Sequence, residues 1–377
     1  MVGSRHIQTP VRGPTSADRL MTILLLDAGI DLQLANYANL ALYAAMVVLT
    51  LAMLAFAVYV AFADRPDAAG RPATQDREKE FAGVGGTSVG AGTGESSAEV
   101  VEETAGSPLG EERQGAPQNR PSRPRGASAG VTGASLTWLS LMFLVVSVVC
   151  RGLASNRVPV ANMFEFAVFG SMLVLAVYLG MGLRWPLTWL GLFVTTPVLL
   201  VLGLALTVWY SPAAELLPSL RSLWLAIHVP IATLSVAVFT IAASVLVLHL
   251  VKERRERKVV EGRASRASFL DTLPRAESLD RTAYSLHIVA FPLWTFSLIA
   301  GAIWAQQAWG YYWNWDPKET WTFIIWVIYA GYLHARSTSG WSRRTANALA
   351  IVGYLAIIVN FAVVNIYFAG QHSYSGL

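Results

Sequence analysis

The chain has 377 residues, of which 54% are hydrophobic and 14% charged, with a formal net charge of +4. Ordinary soluble domains carry about 25% charged residues, so this composition excludes a globular protein wetted on all sides. A single cysteine, Cys150, excludes an internal disulfide and any two-thiol redox chemistry within the chain, and reads as a small apolar filler at a helix end.

Residues 1–36 form an N-terminal tail that includes His6, to which no role is given. The first apolar run, within 37–63, lies too far from Met1 for an ordinary cleaved signal peptide. Uncharged runs of about 18 residues or more read as membrane spans, because ~20 helical residues at a rise of about 1.5 Å cross the hydrocarbon core. In lipid, every backbone polar group needs an internal partner, so such runs are helices. Residues 64–133, with the stretch GVGGTSVGAGTGESSAEV, hold too little apolar surface for a core and read as a disordered linker. Seven more spans are expected at 134–150, 166–181, 187–209, 223–251, 284–306, 321–334 and 346–368. The fold class is therefore an all-α integral membrane protein of about eight transmembrane helices, with 134–377 as one seven-helix domain.

Lys and Arg mark the cytoplasmic side of a membrane protein. Placing the 64–133 linker, the turn at Arg184, KERRERKVVEGRASRASFLDTLPRAESLDR and ARSTSGWSRR inside accounts for 21 of the 28 basic residues. Arg5, Arg12, Arg19, Arg151, Arg157, Arg221 and Lys318 are left over. Alternation then puts the N-terminus, the loop WGYYWNWDPKETW (309–321) and the C-terminal GQHSYSGL outside. Orientation, rather than nucleic acid, explains the positive charge.

Topology also sorts the histidines. His249 and His287 fall near cytoplasmic helix ends beside basic residues and read as solvated interfacial groups. His228, in LWLAIHVPIA, and His372, in FAGQHSYSG, flank the tryptophan loop on the outer side. Each alone reads as an interfacial polar residue. Together with the loop they fit an axial pair on a planar iron macrocycle, whose flat apolar face suits a floor of aromatic rings. His334 comes 13 residues after Trp321, about 20 Å deeper at 1.5 Å per residue. It reads either as an inner site or as a helix-end histidine reaching the interface. A plain interfacial belt accounts for Trp138, Trp185, Trp209 and Trp224, but not for the spacing W-G-x-x-W-x-W-D-x-x-E.

That spacing, Trp309, Gly310, Trp313, Trp315, Asp316 and Glu319 followed by Trp321, resembles the "WWD" signature of haem-handling proteins in cytochrome c maturation. Within that group the chain is similar to the CcsA/ResC branch of System II, called CcsB in actinobacteria. The likeness extends through LDRTAYSLHIVAFPLWTFSLIAGAIWAQQ, YLHAR, the HVP after Ile227, RVPVANMFEF and VNIYFAGQHSYSG, and so covers most of 134–377. The long linker departs from the family pattern. The resemblance implies haem b as transported substrate, His228 and His372 as outer axial ligands and His334 as the membrane histidine. It also implies Trp309, Gly310, Trp313, Trp315, Asp316 and Glu319 as the haem platform. The partners it implies are a ResB-like membrane subunit supplying the other inner ligand, apocytochrome c, and a thiol-reducing membrane protein upstream. The complex would act as a holocytochrome c synthase, or haem lyase, in the bacterial plasma membrane. Other readings stay open: haem export or presentation only, a secondary transporter of a small solute, or a respiratory scaffold. A transporter predicts a midplane site with broken helices, and a scaffold leaves the histidines without a task.

Overall fold

The computed structural model describes residues 31–62, 126–213, 222–263 and 268–372. Among these the long elements are all helices: α1 (Leu32–Phe62), α2 (Ala127–Ala154), α3 (Met163–Gly182), α4 (Gly191–Thr207), α5 (Leu223–Val260), α6 (Ala276–Trp309), α7 (Pro317–Ser337) and α8 (Arg343–Ile358). A 3-10 turn at Thr188–Leu190 leads into α4, and α8 continues through a π-helical turn, Val359–Val364, to a last short piece at Asn365–Tyr367. Seven of these helices are long and apolar enough to cross a membrane. The remaining one, α7, has 21 residues, about 30 Å at 1.5 Å each, with Lys318, Glu319, His334 and Arg336 confined to its two ends.

The protein is thus an all-helical, multi-pass membrane protein. The most extensive pairings are α1 with α2 and α5 with α6; α3 packs on α2, α4 and α5, and α7 packs on α8 and α6. One apolar core runs from Leu49 and Leu144 through Leu175 and Leu202 to Phe239 and Tyr329. A small second cluster, built on Leu225 and Trp304, lies at the end of the molecule that carries the tryptophan loop.

The structure moves several expected boundaries. Helix α2 begins at Ala127, inside the segment expected to be linker. Its Gly, Ala and Ser residues look like linker composition but serve close helix contact. A Cβ on Gly130 or Gly133 would stand 2.9 Å from the ring of Tyr59 or Phe56 on α1. The rest of the linker, residues 1–30 and residues 373–377 lie outside the described residues.

His249 and His287 are not solvated. Both are buried, at 7% and 1% exposure, because helices α5, α6, α7 and α8 close around a carboxylate at the end opposite the tryptophan loop. That carboxylate, Asp280, accepts both Arg336 nitrogens at 2.9 Å and the Asn347 amide at 3.1 Å, with His249 Nε2 at 3.9 Å. The His287 ring lies among Phe239, Tyr329 and Tyr332. Removing one partner of a buried ion pair leaves the other uncompensated. Asp280→Ala is therefore expected to destabilise the protein by about 3–5 kcal/mol, read as a lowered thermal midpoint in detergent.

Burial also disposes of two arginines that the charge rule left over. Glu165, which opens α3 above its Asn162 cap, accepts Arg151 Nε at 3.0 Å, Arg157 at 2.7 and 2.9 Å, and the Ala161 amide at 2.9 Å. Arg151 also donates to the Ser211 carbonyl at 2.6 Å. Both cations are committed inside the protein rather than displayed as surface charge.

Candidate functional site

The tryptophan loop begins where α6 stops. Gly310 caps that helix in the left-handed region at φ 87°, donating its N–H to the Gln306 carbonyl at 3.0 Å. The loop then turns through Trp315, a non-glycine residue at φ 57°, a conformation a bulky side chain rarely takes. Next comes a capping box. Asp316 caps α7, Pro317 fills its first position, and Glu319 Oε2 accepts the amides of Asp316 and Asn314 at 3.2 and 2.8 Å. The D-P-x-E part of the loop motif is therefore a helix start, and Glu319 shapes the loop.

Asp316 has a second task. Its Oδ1 accepts the Gln371 amide at 2.7 Å, and its Oδ2 lies 3.0 Å from His372 Nδ1. Burial opposes charge on this carboxylate, but the His372 and Gln371 hydrogen bonds outweigh it and hold Asp316 below the usual carboxyl range. The side chain of Gln371 donates to Tyr311 Oη, tying the C-terminal segment to the loop a third time.

His228 reaches the same place from α5. Its Nδ1 lies 2.7 Å from the Ser297 carbonyl of α6. Gly301, one turn further along α6, leaves the room its ring needs, since a Cβ there would stand 2.8 Å from the imidazole. Both histidines pack against Trp304, which is buried at 1% exposure. His228 is nearly parallel to it (centroids 6.3 Å, 10°), and His372 meets it edge-on (5.6 Å, 69°). Trp309 completes the group, 4.8 Å from His372 and 4.7 Å from Trp304.

The protonation pattern follows from the partners. A carbonyl or carboxylate beside Nδ1 requires that nitrogen to carry the hydrogen, so the lone pair of each neutral ring sits on Nε2. Metal-ligating histidines are commonly oriented in this way through their other nitrogen, although His249 and His287 are anchored through Nδ1 to backbone carbonyls as well.

The structure therefore brings together His228, His372, Trp309, Gly310, Asp316 and Glu319. Trp313 and Trp315 form a second aromatic run: they meet each other at 5.8 Å, and Trp313 continues to Phe323 and Trp326. Trp315 is 69% exposed. His334 stands apart near the other end of α7, exposed, with no side-chain hydrogen bond among the described residues, whereas Arg336 turns inward to Asp280. Trp304 and Ser297 were not singled out from the sequence. Trp304 is one tryptophan in an apolar span, and Ser297 contributes only its backbone, so neither carries a signal in a motif.

Residues 132–372 match the family model described as cytochrome C assembly protein. The chain is similar to cytochrome c biogenesis protein CcsA of Gloeobacter violaceus, at 33% identity over 65% of this chain and 86% of that one. The CcsA protein of Guillardia theta gives 33% over the same shares. That of Prochlorococcus marinus strain NATL2A gives 35% over 66% and 86%.

Proposed function

Because this chain belongs to the cytochrome c assembly family and so acts in cytochrome c maturation, we propose that it brings haem b to the tryptophan-loop end and presents it there for attachment to apocytochrome c. The observation that carries this reading is the pair His228 and His372. Two imidazoles from distant parts of the chain, one on α5 and one past the end of α8, pack on one buried tryptophan, each held through Nδ1 so that the lone pair of its neutral form is on Nε2. No group of three or more His, Cys, Asp or Glu suited to a bare metal ion occurs among the described residues. A two-imidazole set fits a metal that brings its own equatorial donors, as a porphyrin does.

In this reading the protein's residues position rather than react. Ser297 and Asp316 fix the two imidazoles, Trp304 and Trp309 give an apolar bed, and the outward Trp313 and Trp315 extend the aromatic surface toward solvent. Attachment adds each thiol of a reduced C-x-x-C-H segment across a haem vinyl group: sulfur bonds one vinyl carbon and the hydrogen goes to the other. The histidine of that segment replaces His228 or His372. The loop faces outward, as the Lys and Arg distribution supports. His334 takes haem first at the inner side with a histidine of a ResB-like membrane subunit, and a thiol-reducing membrane protein keeps the apocytochrome reduced. The complex as a whole is the haem lyase.

The absorbance spectrum of the purified protein with its membrane partner tests the reading. Six-coordinate haem is expected, and a haem-free protein that still supports maturation would overturn it. Asp316→Asn sharpens the test, because asparagine caps a helix as well as aspartate does. The loop should then persist while the charge that orients His372 is lost. Haem affinity is expected to fall about 10–100-fold, as measured by titration of the stripped protein.

A further inference from the structure

The C-terminal end of α8 does not finish as an α-helix. It widens into the π-helical turn Val359–Val364, and the chain then runs by Asn365–Tyr367 to the exposed residues 367–371 before reaching His372. The π turn packs through buried Val364 and the Phe361 ring on Phe166 and Trp209, but residues 367–371 beyond it are exposed, so the position of His372 depends on where the chain before and after them is gripped. Two grips come from the first turn of α7: Asp316 holds Gln371 and His372, and Lys318 Nζ donates to the Asn360 carbonyl, inside the π turn, at 2.8 Å. Asn360 itself is buried, at 6% exposure.

Lys318 is an unfavourable residue for its place in the helix. At the second position of α7 it puts a cation where the exposed N–H groups already make the helix end positive. Its ammonium is also turned into the protein instead of toward water. A lysine that opposes its own helix has its use elsewhere, and here its reach ends on the π turn. A π turn holds one residue more than the α turn it replaces, and such turns occur at functional sites. If it relaxes to α, everything after it rotates by about 100° and shifts by about 1.5 Å.

We propose that Lys318 is a positioning residue for His372: by holding the Asn360 carbonyl it keeps the π turn in register and so fixes the approach of His372 to Asp316 and Trp309. Its consequence for haem rests on the function proposed above; its consequence for the chain does not. Lys318→Met keeps the length of the side chain and removes the donor, whereas Lys318→Arg restores a cationic donor.

Hydrogen–deuterium exchange on haem-free protein in nanodiscs reads the effect directly. Lys318→Met is expected to speed exchange in 359–372 about 10-fold or more, with α1–α6 unchanged and Lys318→Arg close to wild type. With haem bound, the same variant should move the absorbance spectrum as His372→Ala does, and added imidazole should reverse the change. If Lys318→Met does not insert, Lys318→Gln, a shorter neutral donor, gives the same comparison with a smaller shift. Unchanged exchange in 359–372, or faster exchange spread over α1–α6, overturns the proposal. A His372→Ala variant with normal maturation would instead remove the haem-site reading and leave the exchange result standing.

Discussion

Replacing His228 or His372 by alanine is expected to abolish holocytochrome c formation while leaving the protein in the membrane at normal level. In the proposed reading each substitution removes one coordinating Nε2, and neither ring belongs to the main apolar core or to the Leu225–Trp304 cluster. Losing a first ligand costs more than losing the partner that orients it, so the deficit should exceed the roughly 10–100-fold expected for Asp316→Asn. The two variants should differ in one respect. The vacancy left by His372 opens beside the exposed segment 367–371, whereas His228 is enclosed by α6 at Ser297 and Gly301. Added imidazole should therefore restore more activity to His372→Ala than to His228→Ala. Holocytochrome yield in membranes, with and without imidazole, is the measurement. Normal yield in either variant would remove that histidine from the site.

His334→Ala should fail in a different way. His334 and the outer pair are too far apart for one haem to bridge, since about 18 helical residues at 1.5 Å separate it from Asp316. If the inner histidine loads haem first, its loss empties the protein before the outer site is reached. Protein purified with its partner should then hold about one tenth or less of the wild-type haem, because removal of a ligand weakens the site at least as much as removal of a supporting residue. His372→Ala should still contain haem, in altered coordination. In the proposed reading a second subunit supplies the other inner ligand: His334 is exposed on α7, and the nearby polar groups Arg336, Asp280 and Asn347 are occupied with one another. Wild-type haem content in His334→Ala would leave only the outer platform.

The architecture was readable because the solvent is simple: long apolar runs in lipid can only be helices, and each expected span has its helix. The tryptophan loop was readable because its spacing exceeds what an aromatic belt requires. What stayed hidden depends on partners remote in sequence. His249 and His287 look interfacial beside basic residues, yet Asp280, Arg336 and Asn347 from three helices close the space around them. Gly130 and Gly133 carry a linker's composition, and only the rings of α1 show that they are packing positions. Trp304 has no motif around it, and the π turn at Val359–Val364 passes as an unbroken apolar run. The roles of Asp316 and Glu319 could be narrowed only when the capping box and the His372 contact were seen together.

The central claim is that His228 and His372 bind one iron. Low-temperature electron paramagnetic resonance of the oxidised, haem-containing protein, wild type against a His228→Ala, His372→Ala double variant, tests it most directly. The wild type should show a low-spin signal of bis-imidazole iron, and the double variant should lose that outer-site component to high-spin iron or to an empty site. A low-spin signal that survives the double substitution unchanged would contradict the claim.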